Sequence, residues 1–538
     1  MGIGLLRAGV ILLAVTSSAP AQLRFCIRTD PATFDPLLAE EEAAETIAYL
    51  TNGVLIRLNR STQKLGPELA NSWKVRDQGK RIDFLLRSDV RFSDGTPFGP
   101  EDVIATVRRL ANPDLHSSIG DTFRSAGGNI RAELNGAHGV SVFFATTVAG
   151  LELLFDQLPI SSARRPPADG PVLGPFLRAD YKSGQYILLR RNPYYWKTDG
   201  SGTKLPHLDS IRIDIQANRE IELLRFRRGE LHWIDKLEPE AFERLRKELP
   251  AATRNAGSSL DAEFFWFNQS PNSHLPPHVK GWFESKLFRQ AISAAVNRDD
   301  IIRLVYHGYA HPAIGPVSAS NHFWFNSRLR PTAYDPARAL ELLRKDGFHM
   351  DGRTLRDRTG HVVEFSLITN AGSQTRARIG AMVQQDLKQV GIQIHFTPIE
   401  FQSLIERITR TQQYEACLLG LTNVEIDPNS QMNVWLSSGT HHAWNPAQAK
   451  PATSWEAEID RLMQLQHAAI EPKTRKEAFD RVQEIVAEQV PIVYLLNPDV
   501  LVAVAPAVRD AAPSVLPPHL FWNIDHLSLA AASSERKH

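Results

Sequence analysis

The chain has 538 residues, 43% of them hydrophobic, so it is long enough for more than one buried core; about three domains of roughly 150 residues is the size prior. Lys plus Arg (61) nearly cancels Asp plus Glu (60), leaving a net charge of +1. That balance carries no nucleic-acid footprint and no polybasic membrane patch.

Residues 1–21 read as a secretory signal: Arg7, an apolar run from Ala8 to Val15, and the small-x-small pattern Ala19-Pro20-Ala21. Gln22 follows that pattern, so no lipid-accepting Cys is expected and the product is expected to be exported and soluble. Leu23 to Ile27 alternates as a strand. Asp35-Pro36 and the acidic trio Glu40-Glu41-Glu42 come next, then a helix over 45–50. Gly66-Pro67-Glu68-Leu69-Ala70-Asn71-Ser72-Trp73 leads into a strand with Ile82, Phe84 and Leu86 on one face. Asp94-Gly95 signals a turn, and Glu101-Asp102 opens an apolar-periodic helix to about residue 110. The span 60–164 thus reads as mixed strands with one clear helix.

Gly174-Pro175-Phe176 precedes a buried strand from Tyr186 that ends in Arg191-Asn192-Pro193-Tyr194-Tyr195-Trp196. A strand at 211–215 and a helix at 220–226 follow. Phe264 to Phe267 is a strongly apolar strand, and Phe288-Arg289-Gln290-Ala291-Ile292 opens a helix that runs towards Asn297-Arg298. Ile379, Met382, Val383, Leu387 and Val390 make a helix face, Gly391 stops it, and Ile392, Ile394 and Phe396 alternate as a strand. A helix over 401–410 and a strand over 414–419 come next. Pro472 starts another helix, and Ile492 to Leu496 returns as a buried strand. Asn497, Pro498 and Asp499 interrupt the apolar run there, so it is not a membrane span.

Three phrases, at 66–98, 174–196 and 288–298, resemble extracellular solute-binding protein family 5, the dipeptide/oligopeptide-binding proteins of ABC importers. The resemblance covers roughly 23–530. It implies an α/β, two-lobed periplasmic binding protein (type II, cluster C-like) with an extra inserted N-terminal domain. Lobe I would comprise 22–59 with 165–263 and 491–538, the inserted domain 60–164, and lobe II 264–490, with hinge crossings near 263 and 490. The implied function is capture of peptides between two closing lobes and delivery to an inner-membrane permease, with no catalysis, no cofactor and no metal, as a periplasmic monomer. A non-peptide, sugar-linked or other uncharged ligand is the alternative. A periplasmic hydrolase and a signalling receptor are the further rivals.

The same resemblance points to the loop after the strand that ends at Gly420. Relatives present an aromatic residue there, then an Asp that fixes the ligand α-ammonium. Aligned on Asp427-Pro428, this chain has Leu421 and Val424 at those two places. Glu425 or Asp427 could replace the anion, the ligand could lack an amine, or the loop could face solvent. Expected ligand contacts are therefore Gly420, Leu421, Thr422, Asn423, Val424, Glu425 and Asp427, with Trp435 as an apolar wall and Glu40 and Glu42 at the opposite rim.

Other chemistry is weakly represented. Gly-x-Ser-x-Gly, His-Glu-x-x-His and phosphate-loop patterns do not occur. His307 and His311 have metal-ligand spacing, but Gly308 and Pro312 argue against a shared helix, and His441-His442 reads as a loop pair. The two cysteines, Cys26 and Cys417, are expected in different lobes as buried thiols.

Overall fold

The computed structural model describes residues 21–165, 167–422 and 424–530. The expected signal segment lies outside these residues except for Ala21, and so does Asn423 of the expected binding loop. Three sheets organise the chain.

The first sheet runs in the spatial order Gln22–Ile27, Ser210–Ile215, Tyr186–Arg191 and Phe176–Lys182, with only the first pair parallel. Leu23, Phe25 and Ile27 point to one side, as their alternation requires. They pack with Ile211, Ile213 and Leu189, and with Ile47 and Leu50 of the helix Glu42–Thr51. Glu41 caps that helix by accepting from Ala44 N at 3.1 Å.

The second sheet, Ala70–Arg76, Arg81–Leu86, Gly139–Phe144 and Ile130–Leu134 in spatial order, is antiparallel throughout. Phe84 meets Phe155 edge-on with ring centroids 4.8 Å apart. Two helices cover this sheet, Pro100–Ala111 and Ser118–Gly127, where the sequence suggested one. The second has a weak sequence signature because Gly120 and Gly127 are poor helix formers and both lie on its buried side. Asp102 secures the first by accepting from Gly99 N (3.0 Å) and Ala163 N (2.9 Å).

The third sheet has eight strands, and one of them spans most of its width. Ile492–Val504 pairs along its first half with Ala262–Phe267 and along its second half with Thr253–Ser258 and Trp233–Ile234. Ala416–Leu421, Glu364–Asn370 and Gln393–Ile399 extend the sheet beyond Ala262–Phe267. The early half of the long strand contributes Val493 and Leu495 to a core with Phe265, Phe267 and Phe288. Its late half contributes Val500, Val502 and Val504 to the core of the first sheet. The strand that the sequence appeared to end at Leu496 therefore continues to Val504. Pro498 sits where its partners change, and its carbonyl accepts from Ser259 N at 2.8 Å while Asn497 Nδ2 reaches Asp261 O at 2.8 Å.

The α/β unit after residue 370 has the expected form. Helix Gln374–Gln389 stops just before Gly391, whose φ of +81° suits glycine. The expected helix over 401–410 is α-helical only to Glu406, then a π turn over Arg407–Thr411. His307 lies beyond the helix Arg298–Val305, and His311 is in the short strand Ala310–Pro312, so the two share no helix face. Both cysteines are free thiols; Cys417 is buried, but Cys26 is only half-buried and burial pushes its pKa up to about 12. Among the described residues, no helix is long and apolar enough to cross a membrane.

Arg289 is buried without a carboxylate in hydrogen-bond contact. It donates to Phe283 O (2.7 Å), Gln489 O (2.9 Å) and Val490 O (3.1 Å), and burial lowers its pKa to about 10. These bonds tie helix Lys286–Ala295 to the end of helix Pro472–Gln489, just before the long strand. Arg289→Ala should cost about 3 kcal/mol, because several buried carbonyls lose their donor at once. Urea unfolding monitored by circular dichroism measures this; an unchanged midpoint would contradict the role.

Candidate functional site

The strand Ala416–Leu421 lies against Ala262–Phe267, with Gly420 opposite Glu263. Glu263 forms a paired contact with Arg376: Nε to Oε2 at 2.8 Å and Nη2 to Oε1 at 3.0 Å. A Cβ on residue 420 would lie 2.6 Å from Arg376 Nη2 and 2.8 Å from Glu263 Oε1. Glycine there makes room for the ion pair. Burial raises the Glu263 pKa, and the guanidinium opposes that shift.

Just beyond Gly420 a cavity of about 170 Å³ opens. Phe264, Trp266, Leu421, Val424, Trp435 and Tyr494 are among the groups that line it. Trp266 Nε1 donates to Tyr414 Oη (3.0 Å), which donates to Ala443 O (3.1 Å). That relay fixes the segment around Ala443 as one wall of the cavity. Trp435 is held by its Nε1 bond to Gln431 Oε1 at 2.9 Å. Trp444 is buried behind it, with ring centroids 6.5 Å apart.

The loop after the cavity reaches distant parts of the chain. Val424 and Ile426 pack against Leu58, Leu260 and Leu516. Glu425 Oε1 accepts from Gln157 Nε2 at 2.9 Å, and Asn429 Nδ2 donates to Ala149 O at 3.0 Å. The Glu425 side chain keeps contact with solvent inside a crowded cleft. Desolvation in that cleft raises its pKa, and the Gln157 bond opposes the shift.

Asp427 is differently employed. Arg475 grips both of its oxygens, Nη1 to Oδ2 at 2.9 Å and Nη2 to Oδ1 at 2.6 Å. Asp427 Oδ1 also accepts from Asn429 N at 2.9 Å, capping the turn Pro428–Gln431. Of the residues singled out from sequence, Gly420, Leu421, Val424 and Trp435 converge on the cavity. Thr422 is exposed and does not line it. Glu40 and Glu42 do not line it either; Glu40 accepts from Ser118 N at 3.2 Å, and Glu42 opens the helix Glu42–Thr51. Sequence reasoning passed over Phe264, Tyr494, Ile408, Thr409 and His441 as lining groups. Their alternation and loop positions carry no signal of a shared cavity.

The sequence model for "Bacterial extracellular solute-binding proteins, family 5 Middle" matches residues 64–442. The chain belongs to this family. Di/tripeptide-binding protein 3 of Pseudomonas aeruginosa is 24% identical over 554 residues, covering 96% of this chain and 97% of that one. NikA of Brucella suis, solved with Fe(III)-EDTA, superposes with a TM-score of 0.78 at 20% identity over 95% of this chain and 100% of that one. AppA of Bacillus subtilis, solved with a nonapeptide, gives 0.68 at 21% identity over 95% and 99%. These neighbours share the two-lobed periplasmic binding-protein fold, and the family consists of substrate-binding proteins. Among the described residues of this family member, no cluster of three or more His, Cys, Asp or Glu could hold a metal ion.

The cavity wall of this solute-binding protein is backed by a buried acid. The Glu456 carboxylate accepts from Thr453 Oγ1 (2.8 Å), Trp444 Nε1 (2.9 Å) and Gln448 Nε2 (3.0 Å), with His442 Nε2 at 3.4 Å. Burial would raise its pKa, but these donors outweigh burial and hold it at about 2. A depressed carboxylate stabilises the fold above its unfolded pKa, and that contribution is lost as pH falls through the folded value. Stability should therefore drop between about pH 4.5 and about 2. Glu456→Gln should be less stable at neutral pH and should lose less over that acid range; parallel acid-unfolding curves for the two proteins would contradict this. Asp427→Asn should cost about 3 kcal/mol in urea unfolding, since buried Arg475 loses its counter-charge.

Proposed function

We propose that this protein is a periplasmic receptor of an ABC importer. It captures peptides between two lobes that close about a hinge and passes them unaltered to an inner-membrane permease. Lobe I would comprise 22–59, 165–263 and 491–538, the inserted domain 60–164 and lobe II 264–490, after an export signal at 1–21. The observation that carries this reading is the loop 424–429. It borders the cavity on one side and contacts Ala149 and Gln157 of the inserted segment on the other. Such a loop gains contacts on both faces only when the halves approach, and ligand-dependent closure needs that property. The peptide-binding names of the relatives add support for the ligand class.

Within this reading Glu425 is the acid left to meet a ligand ammonium, because Arg475 already neutralises Asp427. A charge-assisted bond of this kind is worth on the order of tenfold or more in affinity. Calorimetric titration with free-amine and N-acetylated tripeptides tests it. Glu425→Gln should weaken the free-amine peptide about tenfold and leave the acetylated one unchanged. Affinity for the free amine should also fall on mild acidification, beginning above the usual carboxylate range, because the Glu425 pKa is raised. Binding of N-blocked or non-peptide ligands alone would favour the second reading, an uncharged solute, which Val424 in the cavity lining supports. Mass spectrometry of the bound fraction should return intact peptide; cleaved product would identify a hydrolase instead.

A further inference from the structure

The cavity beside Leu421 has its own chemical preference. Among the described residues, no Asp, Glu, Lys or Arg side chain contributes to its lining. Several of the polar groups at its edge are already engaged. Thr409 Oγ1 donates to Ile405 O (2.7 Å), and Gln431 Oε1 accepts from Trp435 Nε1 (2.9 Å). Asn433 Nδ2 contacts Thr440 Oγ1 and His441 Nδ1, each at 3.0 Å. The nearest ion pairs, Glu263 with Arg376 and Asp427 with Arg475, are internally closed. A charged group entering this cavity would lose its hydration and find no counter-charge, which is unfavourable. An apolar group would meet Phe264, Trp266 and Tyr494, whose rings already contact one another in series. Phe264 lies 5.9 Å from Trp266 and 5.5 Å from Tyr494 between centroids.

Size narrows the occupant. An apolar cavity of about 150 Å³ accepts benzene, and this one holds about 170 Å³. That is room for one aromatic or branched aliphatic side chain, not for a bicyclic sugar or a whole dipeptide. The cavity opens beside the loop that bridges the cleft, where a captured chain would lie.

We infer that this cavity is a side-chain subsite that selects an aromatic or branched aliphatic residue of the captured peptide and rejects charged ones. The inference rests on the peptide-receptor reading for its occupant, and on the lining alone for its chemistry. Val424 and Leu421 are the specificity-determining positions, because both line the cavity from the loop that bridges the cleft.

Saturation-transfer NMR with indole as the probe tests the cavity independently of any peptide. Indole should bind the wild-type protein, and methylammonium and acetate should not. Leu421→Glu should abolish the indole signal by charge, and Thr409→Trp should abolish it by filling the mouth. Circular dichroism melting confirms that both variants fold, and agreement between them guards against local damage in either. Calorimetry with Ala-Phe-Ala, Ala-Leu-Ala, Ala-Asp-Ala and Ala-Lys-Ala supplies the second arm. The apolar members should bind at least tenfold tighter, and Leu421→Glu should erase that margin. Absence of indole binding, or equal binding of all four peptides, would overturn the inference. Indole binding with no peptide binding would discard the peptide as occupant while upholding the apolar selectivity.

Discussion

One strand carries the mechanical burden of this molecule. Ile492–Val504 is hydrogen-bonded to Ala262–Phe267 at one end and to Thr253–Ser258 at the other. Backbone groups in a sheet must be paired, so the two halves cannot separate without breaking this ladder. The strand's partner on one edge changes between Ser258 and Ala262, while on the other edge His311 and Ala310 pair with Asn497 and Pro498. There Pro498 offers no N–H, and the Asn497 side chain substitutes by reaching Asp261 O. The cores on either side draw on the same strand, Val493 and Leu495 in one and Val502 and Val504 in the other. One continuous strand thereby joins both cores.

The site inherits its character from how charges are disposed around that strand. Glu263 is on the strand beside Ile492–Val504, yet Arg376 neutralises it and Gly420 gives the pair space. Asp427 is at the cavity loop, yet Arg475 neutralises it. Under the proposed function, a ligand would meet a ring-lined apolar cavity, with Glu425, whose pKa burial raises, in the loop beside it. A peptide suits such a surface, because an ammonium and an apolar side chain are carried a few ångströms apart on one molecule. The Glu456 cluster holds the far wall in place through three donors to one carboxylate.

Much of the architecture was legible from local patterns. Helix Gln374–Gln389 shows itself through Ile379, Val383 and Leu387, and Gly391 marks its end. The phrase at Phe288 and Arg289 was legible as a helix, but the reason for Arg289 was not, since the Gln489 and Val490 carbonyls it holds lie about 200 residues away. The long strand was cut short because Asn-Pro-Asp reads as a break, and only the change of partners explains why a strand tolerates it. In the loop, position singled out Gly420, Leu421 and Val424, which line one cavity, but not the fate of Asp427, because a partner 48 residues along the chain leaves no trace in spacing. Phe264 and Tyr494 were legible as strand residues; that their rings face one cavity depends on register across the long strand.

Small-angle X-ray scattering at saturating peptide measures the central claim, which is closure about the strand Ile492–Val504. With occupancy established by calorimetry in the same buffer, the radius of gyration should fall on binding and the profile should match a more compact particle. Superimposable profiles for the free and fully occupied protein would contradict the account.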